Sequence, residues 1–377
     1  MTTAEFLDVH GLSPSLIDVK AQSDKMLEHM LSGINGQVID MPMIKTFLTL
    51  DGTIEKGRSA AVIDAGGTNF RAALATYTGE GFEISNFYKD KMPGTEKCAS
   101  WDEFISFTAD AIEPFMDKTD IIGFCFSYSA NITPEKDGIV NDMDKEVIIT
   151  GCKGRYVGKD LTAELARRGF HGKKCVVLND TVAALLGNSA FLDKDKYSGF
   201  MGMICGTGIN TCASYNGMLI NLESGFYSGM PRGDFDKLID ATSAQCGEKL
   251  MEKMCSGAYI GSIAKLALDL EGTVDGRVVN ELSINGSEFQ KAVCSSIFER
   301  SARCMASNII ALMKLTGCGK DKPYCVCAEG SLIGKSAMYL EYLEKALEEN
   351  SGEYKAVINV GSDTTLPGSA AAALLNT

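Results

Sequence analysis

The sequence has few of the residues on which many metal and nucleophilic sites depend. Its 377 residues contain three histidines, His10, His29 and His171, which are far apart in the chain. The thirteen cysteines are scattered and include no CxxC pair. A zinc cluster or a histidine-based nucleophilic site is therefore not expected. Many cysteines lie within apolar runs, as Cys125 and Cys205 do, which is typical of reduced, buried thiols rather than of disulfides.

Long apolar runs and excess positive charge are also missing. No apolar run approaches the roughly 18 residues that span a membrane, and the first residues, MTTAEFLDVH, do not resemble a secretory signal. The net charge is −13, from 36 Lys and Arg against 49 Asp and Glu. This acidic balance argues against a nucleic acid or an anionic membrane as the main partner. We therefore expect a protein of the reducing cytoplasm, and the oligomeric state is left open.

Length and glycine placement indicate a two-domain α/β chain. A chain of 377 residues exceeds what one core usually supports, so two domains are expected. AAVIDAGGTNFRAALATY (60–77) and FMGMICGTGINTCASYNG (200–217) each read as strand, glycine turn and strand. Two such hairpins indicate a duplicated architecture with one phosphate-binding turn in each half.

The remaining pattern alternates between helices and strands. Residues 101–116 have helical spacing, 120–130 form an apolar strand, and KKCVVLNDTVAALLGNSAF (173–191) predicts a strand running into a helix. In the C-terminal third, the pattern predicts helices over 243–270, 288–316 and 332–349, one strand over 324–330, and a last helix over 368–377.

The first glycine turn has the composition of an anion-binding site. The segment DAGGTNFR contains six candidate residues, namely Asp64, Gly66, Gly67, Thr68, Asn69 and Arg71. The two glycines allow backbone N–H groups to face an anion, and the threonine and asparagine add side-chain donors. An aspartate at a strand end is well suited to hold a hydrated Mg²⁺. The alternative is an ordinary glycine hairpin with an aspartate at its edge.

The second glycine turn, GTGIN (206–210), begins like a dinucleotide fingerprint. That motif needs a third glycine and a following helix, whereas Thr211 and a strand follow here. A second phosphate turn fits better, with the Thr207 hydroxyl directed at the terminal phosphate.

A third glycine-containing segment, EGSLIGKS (329–336), resembles a P-loop without meeting its spacing. Only three residues separate Gly330 from Gly334, whereas a P-loop has four residues between its glycines. We therefore expect Ser331 to cap a helix here.

Three acidic residues allow both structural and catalytic interpretations. Asn179 and Asp180 precede a predicted helix, where a cap and the helix dipole favour them. The same setting keeps the Asp180 carboxylate ionised and able to accept a hydroxyl proton. Glu223 and Glu252 are ambiguous by themselves, because an isolated glutamate is usually solvated and Glu252 lies near Lys249 in a predicted helix.

These segments occur together and in order, and on that basis the sequence resembles the hexokinase family, within the sugar kinase, actin and heat-shock ATPase superfamily. The resemblance spans roughly residues 41–375. It rests on DAGGTNFR (64–71), GFCFSYSANI (123–132), VVLNDTVAAL (176–185), GTGIN (206–210), NLESGFYSG (221–229), GEKLMEKMCSGAYIG (247–261), CAEGSL (327–332) and PGSAAAALL (367–375).

The resemblance implies the two-lobed, ribonuclease H-like fold of actin-type ATPases with a cleft between the lobes. The small lobe would hold 58–178 and the C-terminal helix 368–377, and the large lobe would hold 1–57 and 179–367. The implied reaction is ATP-dependent phosphorylation of a hexose, glucose foremost, at its 6-hydroxyl, with Mg²⁺ as the cofactor.

The resemblance also implies a role for each matching residue. Asp180 becomes the general base, and Lys145 a catalytic and sugar-binding residue that approaches the reacting oxygen as the cleft closes. The other implied sugar ligands are Ser127, Asn179, Asn210, Glu223 and Glu252. The implied ATP ligands are the six residues of the first turn together with Gly206, Thr207, Gly208, Gly330 and Ser331. Carboxylates and amides suit a sugar, because each hydroxyl both donates and accepts hydrogen bonds.

Three positions depart from the family pattern. Ser129 stands where the family usually has proline, and Lys249 where it usually has glutamine. Met143 and Asp144 stand where the family usually has tryptophan and threonine. Two alternatives with the same fold are a non-catalytic sensor of sugar or nucleotide, and a kinase for a carboxylate or for an amino or acylamino sugar. A chaperone-type ATPase would need a peptide-binding domain, for which no residues remain.

Overall fold

The computed structural model describes residues 1–143 and 147–377. Asp144 and Lys145, both singled out from the sequence, lie outside the described residues. The described chain divides into a first unit, Met1–Met43 with Lys194–Ala213 and Leu222–Ser362, and a second unit, Ile44–Asp193 with Ser214–Asn221 and Asp363–Thr377. The predicted lobe boundaries, at 57/58, 178/179 and 367/368, stay a prediction.

Helices account for much of both units. The α-helices of the described chain are α1 (Thr3–Val9), α2 (Val19–Ile34), α3 (Trp101–Ile112), α4 (Val157–Arg167), α5 (Asp180–Ser189), α6 (Asp234–Thr242), α7 (Leu250–Cys255), α8 (Gly257–Leu268), α9 (Gly276–Asn285), α10 (Glu288–Thr316), α11 (Ser331–Lys335), α12 (Tyr339–Asn350) and α13 (Thr365–Asn376). Short 3₁₀ turns occur at Pro14–Leu16, Glu113–Phe115, Lys194–Lys196 and Ser224–Phe226. Among these described helices, none combines the length and the apolar character that a membrane span requires.

Fifteen strands occur in the same described ranges. They are β1 (Ile44–Lys45), β2 (Ser59–Gly66), β3 (Asn69–Tyr77), β4 (Phe82–Lys91), β5 (Ala99–Ser100), β6 (Ile121–Phe126), β7 (Ser129–Ile132), β8 (Gly138–Asp142), β9 (Ile149–Thr150), β10 (Lys174–Leu178), β11 (Gly199–Cys205), β12 (Ile209–Tyr215), β13 (Met218–Asn221), β14 (Tyr324–Glu329) and β15 (Ala356–Val360).

The second unit is built on a five-stranded sheet in the order β10-β6-β2-β3-β4. β10, β6 and β2 are parallel, and their near-continuous apolar sequences are those of strands covered on both faces. α13 and α5 pack together, and α13 also covers β2 and β6. Elsewhere the unit buries an aromatic cluster that includes Phe70, Trp101, Phe104, Phe124 and Phe126.

The first unit contains strands in the order β12-β11-β14-β15, with β11, β14 and β15 parallel and β12 antiparallel to β11. The 29-residue α10 is its central helix. A capping box between Ser287 and Gln290 begins α10, and Gly317 ends it in a left-handed conformation. Most residues from Val293 to Met313 are buried, where α10 packs against α2, α8, α9 and α12.

The two predicted glycine-turn hairpins are confirmed. β2 and β3 are antiparallel with Gly66 opposite Asn69, and β11 and β12 are antiparallel with Cys205 opposite Ile209. The predicted strand-to-helix segment at 173–191 is confirmed as β10 and α5.

Four local predictions were wrong. The single helix predicted over 332–349 is two helices, α11 and α12, because Ser336 after α11 is extended, with φ −80° and ψ 133°. The single helix predicted over 243–270 is two helices, because Ser256 between α7 and α8 is extended, with φ −84° and ψ 155°. A second C-terminal strand, β15, was missed; it is a short strand at the sheet edge, fixed by pairing with β14. Ser331 is the first residue of α11, and its N-cap is Gly330.

Candidate active site

The first glycine turn projects polar groups from the end of the β2–β3 hairpin. Gly67 has a left-handed φ of 57° at the first central position of this two-residue turn, where glycine is favoured. Thr68 and Asn69 follow it and are exposed. The Tyr128 hydroxyl donates to the Gly67 carbonyl oxygen, and the Met92 N–H donates to that of Thr68 at 3.0 Å. The turn is therefore fixed through its carbonyl groups.

Asp64 and Arg71 lie opposite each other on β2 and β3. Two nitrogens of the Arg71 guanidinium, Nε at 2.8 Å and Nη2 at 2.7 Å, contact the same Asp64 oxygen, Oδ2. Asp64 is 9% exposed. Burial raises the pKa of Asp64 above its usual value, and the charge of Arg71 opposes that rise. The guanidinium therefore favours a buried carboxylate beside the turn.

Asp180 is held at the start of α5. The Asn179 side chain is the N-cap and accepts from the Thr181 N–H at 2.8 Å. Asp180 Oδ1 also accepts from this N–H, at 2.7 Å, and lies 3.2 Å from Thr181 Oγ1. Asn179 is thus the cap and Asp180 the first helical residue, which corrects the expectation that Asp180 itself caps the helix. A carboxylate in the first helical turn is favoured in its ionised form.

The strand register brings Asp64 and Asp180 to one edge of the five-stranded sheet. Asp64 pairs with Cys125 on β6, and Cys125 pairs with Leu178, the last residue of β10. Carboxyl ends of parallel strands meet at one edge of a sheet, so Asn179 and Asp180 follow directly at this edge. Burial raises the pKa of the Cys125 thiol well above its usual range, and the charges of Asp64 and Asp180 add to the rise. Both carboxylates therefore act on the same thiol.

Ser127 lies at the same edge, just beyond β6. Its N–H donates to the Ala65 carbonyl oxygen at 3.1 Å, and its Oγ is 3.8 Å from Cys125 Sγ. Ser129, by contrast, is exposed, and its Oγ accepts from Asn141 Nδ2 at 3.2 Å. The second unit thus brings together the six residues of the first turn, Ser127, Asn179 and Asp180.

The second glycine turn, 206–208, belongs to the first unit and packs on the start of α8. The Gly257 N–H donates to the Gly206 carbonyl oxygen at 2.7 Å, and the Ala258 N–H to that of Thr207 at 3.1 Å. These contacts account for the break at Ser256, which frees the first N–H groups of α8 for the turn. Thr207 itself is exposed.

Gly330 lies directly against this second turn. Its φ is 134°, and a Cβ at this position would lie 2.4 Å from the Cys205 carbonyl oxygen and 2.7 Å from the Gly206 nitrogen. Only glycine permits both the conformation and the approach. The exposed Ser331 follows as the first residue of α11. Gly206, Thr207, Gly330 and Ser331 are thereby brought together.

Asn210 connects the second hairpin to Glu223. Its Nδ2 donates to Glu223 Oε1 at 3.4 Å, and its Oδ1 accepts from the Ser224 N–H at 3.4 Å. Asn210 is 9% exposed, and Glu223 has a left-handed backbone, with φ 55°. Non-glycine residues in this conformation are strained and occur often at ligand sites.

Glu252, in the first turn of α7, approaches the same hairpin. Its Oε2 accepts from the Ile209 N–H at 3.3 Å. A Cβ at Gly208 would lie 3.0 Å from this oxygen, so glycine leaves the space that the carboxylate occupies. The candidate sugar ligands Asn210, Glu223 and Glu252 therefore surround the start of β12.

Several residues that hold these groups were not predicted from the sequence. Thr181 fixes the Asp180 carboxylate, Tyr128 fixes the first turn, and Gly257 fixes the second. Each lies within a recognised motif, but the hydrogen bonds of Tyr128 and Gly257 span 61 and 51 residues (128 − 67 and 257 − 206), so their partners cannot be read from the motif.

The fold matches those of solved hexokinase structures. The structure of a hexokinase from Schistosoma mansoni complexed with glucose aligns over 99% of this chain and 98% of that chain, with a TM-score of 0.78 and 20% identity. Another hexokinase crystal structure aligns over the same shares with a TM-score of 0.84 and 21% identity. The chain thus has the actin-like ATPase fold of these hexokinases.

Sequence comparison identifies the family. Residues 10–190 match one hexokinase family model, and residues 200–271 and 270–375 match a second. The hexokinase of Plasmodium falciparum is 26% identical, over 91% of this chain and 80% of that protein. Hexokinase-3 of Oryza sativa subsp. japonica is 27% identical, over 88% of this chain and 81% of that protein. The chain belongs to the hexokinase family, and it is a phosphotransferase that phosphorylates a sugar.

Proposed function

We propose that the protein transfers the γ-phosphoryl group of ATP to the 6-hydroxyl of a hexose, glucose being the first candidate, with Asp180 as the general base. The observation that carries the proposal is the position of Asp180, whose carboxylate shares one sheet edge with Asp64 and Ser127. A base at the edge that also carries the first glycine turn suits phosphoryl transfer, which depends mainly on positioning and charge.

Asp180 is held in a way that suits a proton acceptor. The Thr181 N–H binds one oxygen, Oδ1, and thereby orients the carboxyl group and favours its charged form. An ionised carboxylate can accept the proton of a sugar hydroxyl as that oxygen becomes the nucleophile. Asn179 fits the role of a neighbouring sugar ligand because its side chain is already oriented by capping.

The proposed sugar ligands in the first unit are Asn210, Glu223 and Glu252, and those in the second are Ser127 and Asn179. Carboxylates and amides accept and donate as sugar hydroxyls require, and a missing hydroxyl would leave a buried partner unsatisfied. Lys145 is proposed to bind the sugar and to act beside the reacting oxygen. That role rests on its place in the family motif.

The two glycine turns and Asp64 fit Mg·ATP as the phosphoryl donor. When bound, Mg·ATP supplies the transferable γ-phosphoryl group together with a divalent charge that the phosphate oxygens share. Asp64 offers a buried carboxylate that Arg71 orients through Oδ2, and such a carboxylate would suit a metal-bound water. The turn residues Thr68, Asn69 and Thr207 are exposed and suited to bind phosphate oxygens. The Gly330–Ser331 segment is proposed to contact the adenosine.

A coupled assay of ADP release tests the activity. The purified protein with Mg·ATP is mixed in turn with glucose, mannose, fructose, glucosamine and N-acetylhexosamines. We expect glucose to stimulate ADP release most strongly. Stimulation by an acylamino sugar alone would redirect the proposal to that class of substrate. Folded protein that no hexose stimulates would refute the proposal.

The general base is tested by Asp180→Asn, which keeps the size of the side chain and removes its charge. We expect kcat to fall by about 10²–10⁴-fold, the usual contribution of a general base, with ATP binding retained in calorimetry. Asp102→Asn is the matched control, since Asp102 is also in the first turn of a helix of the second unit but is 84% exposed. Retained activity in Asp180→Asn, or an equal loss in Asp102→Asn, would contradict the assignment.

A further inference from the structure

Lys249 contacts the two segments of the first unit that contain the candidate sugar ligands Glu223 and Glu252. Its Nζ lies 3.7 Å from Oε1 of Glu252 and 5.3 Å from the centre of the Phe226 ring. Phe226 ends the 3₁₀ turn, Ser224–Phe226, that begins directly after Glu223. The Lys249 side chain therefore contacts the Glu252 carboxylate and also the turn that follows Glu223. Both glutamates are candidate sugar ligands.

The backbone of Lys249 is also unusual. Lys249 precedes α7 with φ 50° and ψ 44°, in the left-handed region that disfavours any residue with a Cβ. Glu223 has nearly the same conformation, with φ 55° and ψ 48°. Strained residues persist when surrounding contacts fix them, and they concentrate where a ligand is held. The segment of Glu223 and the segment of Glu252 thus each contain one residue with a strained backbone, Glu223 itself in the first and Lys249 in the second.

The two oxygens of Glu252 have different partners. Oε2 accepts from the Ile209 N–H at 3.3 Å, and Oε1 is the oxygen nearest to Lys249 Nζ. The side chains of Lys249 and Glu252 are 22% and 16% exposed, so their attraction is screened less than that of a surface pair. A carboxylate with a hydrogen-bond donor at one oxygen and an ammonium group 3.7 Å from the other has a restricted orientation.

We propose that Lys249 is a positioning residue for hexose binding. Its ammonium group orients the Glu252 carboxylate. Its contact with the Phe226 ring holds the turn after Glu223 at a constant distance from Lys249. This inference rests on the proposed function, because it takes Glu223 and Glu252 as sugar ligands. Lys249 meets Glu252 at Oε1, whereas the second glycine turn lies against Oε2, and neither contact of Lys249 involves Asp180. Loss of Lys249 should therefore weaken sugar binding equally in the ground and transition states, which raises the hexose KM without lowering kcat.

The test compares three variants in the ADP-release assay with glucose. Lys249→Met keeps a similar unbranched stem and removes the charge, and we expect it to raise the glucose KM about 5- to 20-fold with kcat and the ATP KM within about twofold. Lys249→Arg keeps the charge and should return the glucose KM to within about threefold of the original value. Lys291→Met is the matched control, since Lys291 pairs with Glu288 at the same three-residue spacing. It should leave all constants unchanged.

Salt dependence separates an ion pair from a merely structural role. Raising KCl from about 0.05 M to about 0.5 M shortens the screening length about threefold, so the glucose KM of the original protein and of Lys249→Arg should rise. The glucose KM of Lys249→Met should respond less, because its ion pair is already lost. Lys249→Gln is a second charge-removing variant and carries the same expectation if the methionine variant does not fold.

Several outcomes would overturn the inference. A glucose KM within twofold of the original in both charge-removing variants would do so, as would a joint loss of kcat, ATP affinity and thermal stability. Glu252→Gln distinguishes this failure from failure of the proposed function. If Glu252→Gln raises the glucose KM and Lys249→Met does not, only the role of Lys249 is wrong. If Glu252→Gln has no effect, the proposed sugar site is wrong and the inference falls with it.

Discussion

The ion pair between Asp64 and Arg71 allows a quantitative test of how the first glycine turn is held. Arg71→Met removes the guanidinium and leaves Asp64, 9% exposed, without its charged partner. Breaking a fully buried pair in this way costs about 3–5 kcal/mol. Because the Arg71 side chain is 24% exposed, water compensates for part of that loss. We therefore expect a decrease of about 2–4 kcal/mol in the free energy of unfolding.

The loss should depend on pH in a defined direction. Burial raises the pKa of Asp64 above 3.8, so the folded protein keeps this proton after the unfolded chain has lost it. The contribution of Asp64 to stability therefore falls as pH rises from 3.8 through its folded pKa. Removing Arg71 raises the folded pKa further. The destabilisation should accordingly be smallest at acidic pH, where the carboxyl group is protonated more often, and grow as pH rises.

Scanning calorimetry measures this effect. For domains of 150–250 residues, 1 kcal/mol shifts Tm by about 2–4 °C, so the transition of the second unit should fall by about 4–16 °C at neutral pH. The double variant Asp64→Asn with Arg71→Met removes the unpaired charge and should recover most of the loss. Arg58→Met changes an exposed arginine of the same unit and should shift Tm little. Equal losses in the single and double variants, or a loss that does not change with pH, would refute the reasoning.

Two further substitutions test the packing of the first unit. Gly330→Ala should destabilise the protein by at least about 1–3 kcal/mol and weaken ATP binding, because the new Cβ would lie 2.4 Å from the Cys205 carbonyl oxygen. Gly334→Ala, whose nearest neighbouring atom would be 3.9 Å away, is its control in the same melting and calorimetric binding experiments, and equal effects would contradict the prediction. Arg300→Met should cost about 3–5 kcal/mol in chemical denaturation, because the fully buried Arg300 donates to both oxygens of Asp236 at 2.7 and 2.8 Å. Arg277→Met, at a side chain 94% exposed, should cost under about 1 kcal/mol, and a similar small loss for Arg300 would show that its pair is not needed.

Much of the local structure could be predicted from the sequence. The hairpin turns at Gly67 and at 206–208, and the helix start at Asn179, depend on residues within a few positions of each other. Glycine supplies the turn conformation and asparagine supplies the cap whatever the rest of the chain does. For the same reason the motif residues can be recognised from the sequence without knowledge of their contacts.

Other features could not be predicted because their causes are distant in sequence. The break at Ser256 reflects hydrogen bonds from Gly257 and Ala258 to the turn at 206–208, and β15 exists as a strand through its pairing with β14. Periodicity within a window of the chain contains no information about such partners. The helical pattern over 243–270 therefore continues in the sequence where the backbone does not.

The sequence by itself determined which residues are available for catalysis: an aspartate after a strand, two glycine turns, and two glutamates. Tertiary structure alone decided which of them meet. The register that aligns Asp64 with Cys125, and Cys125 with Leu178, places Asp180 at the edge of the first turn. Local conformation follows from steric and hydrogen-bonding preferences of neighbouring residues, whereas this register is fixed by packing between segments more than fifty residues apart.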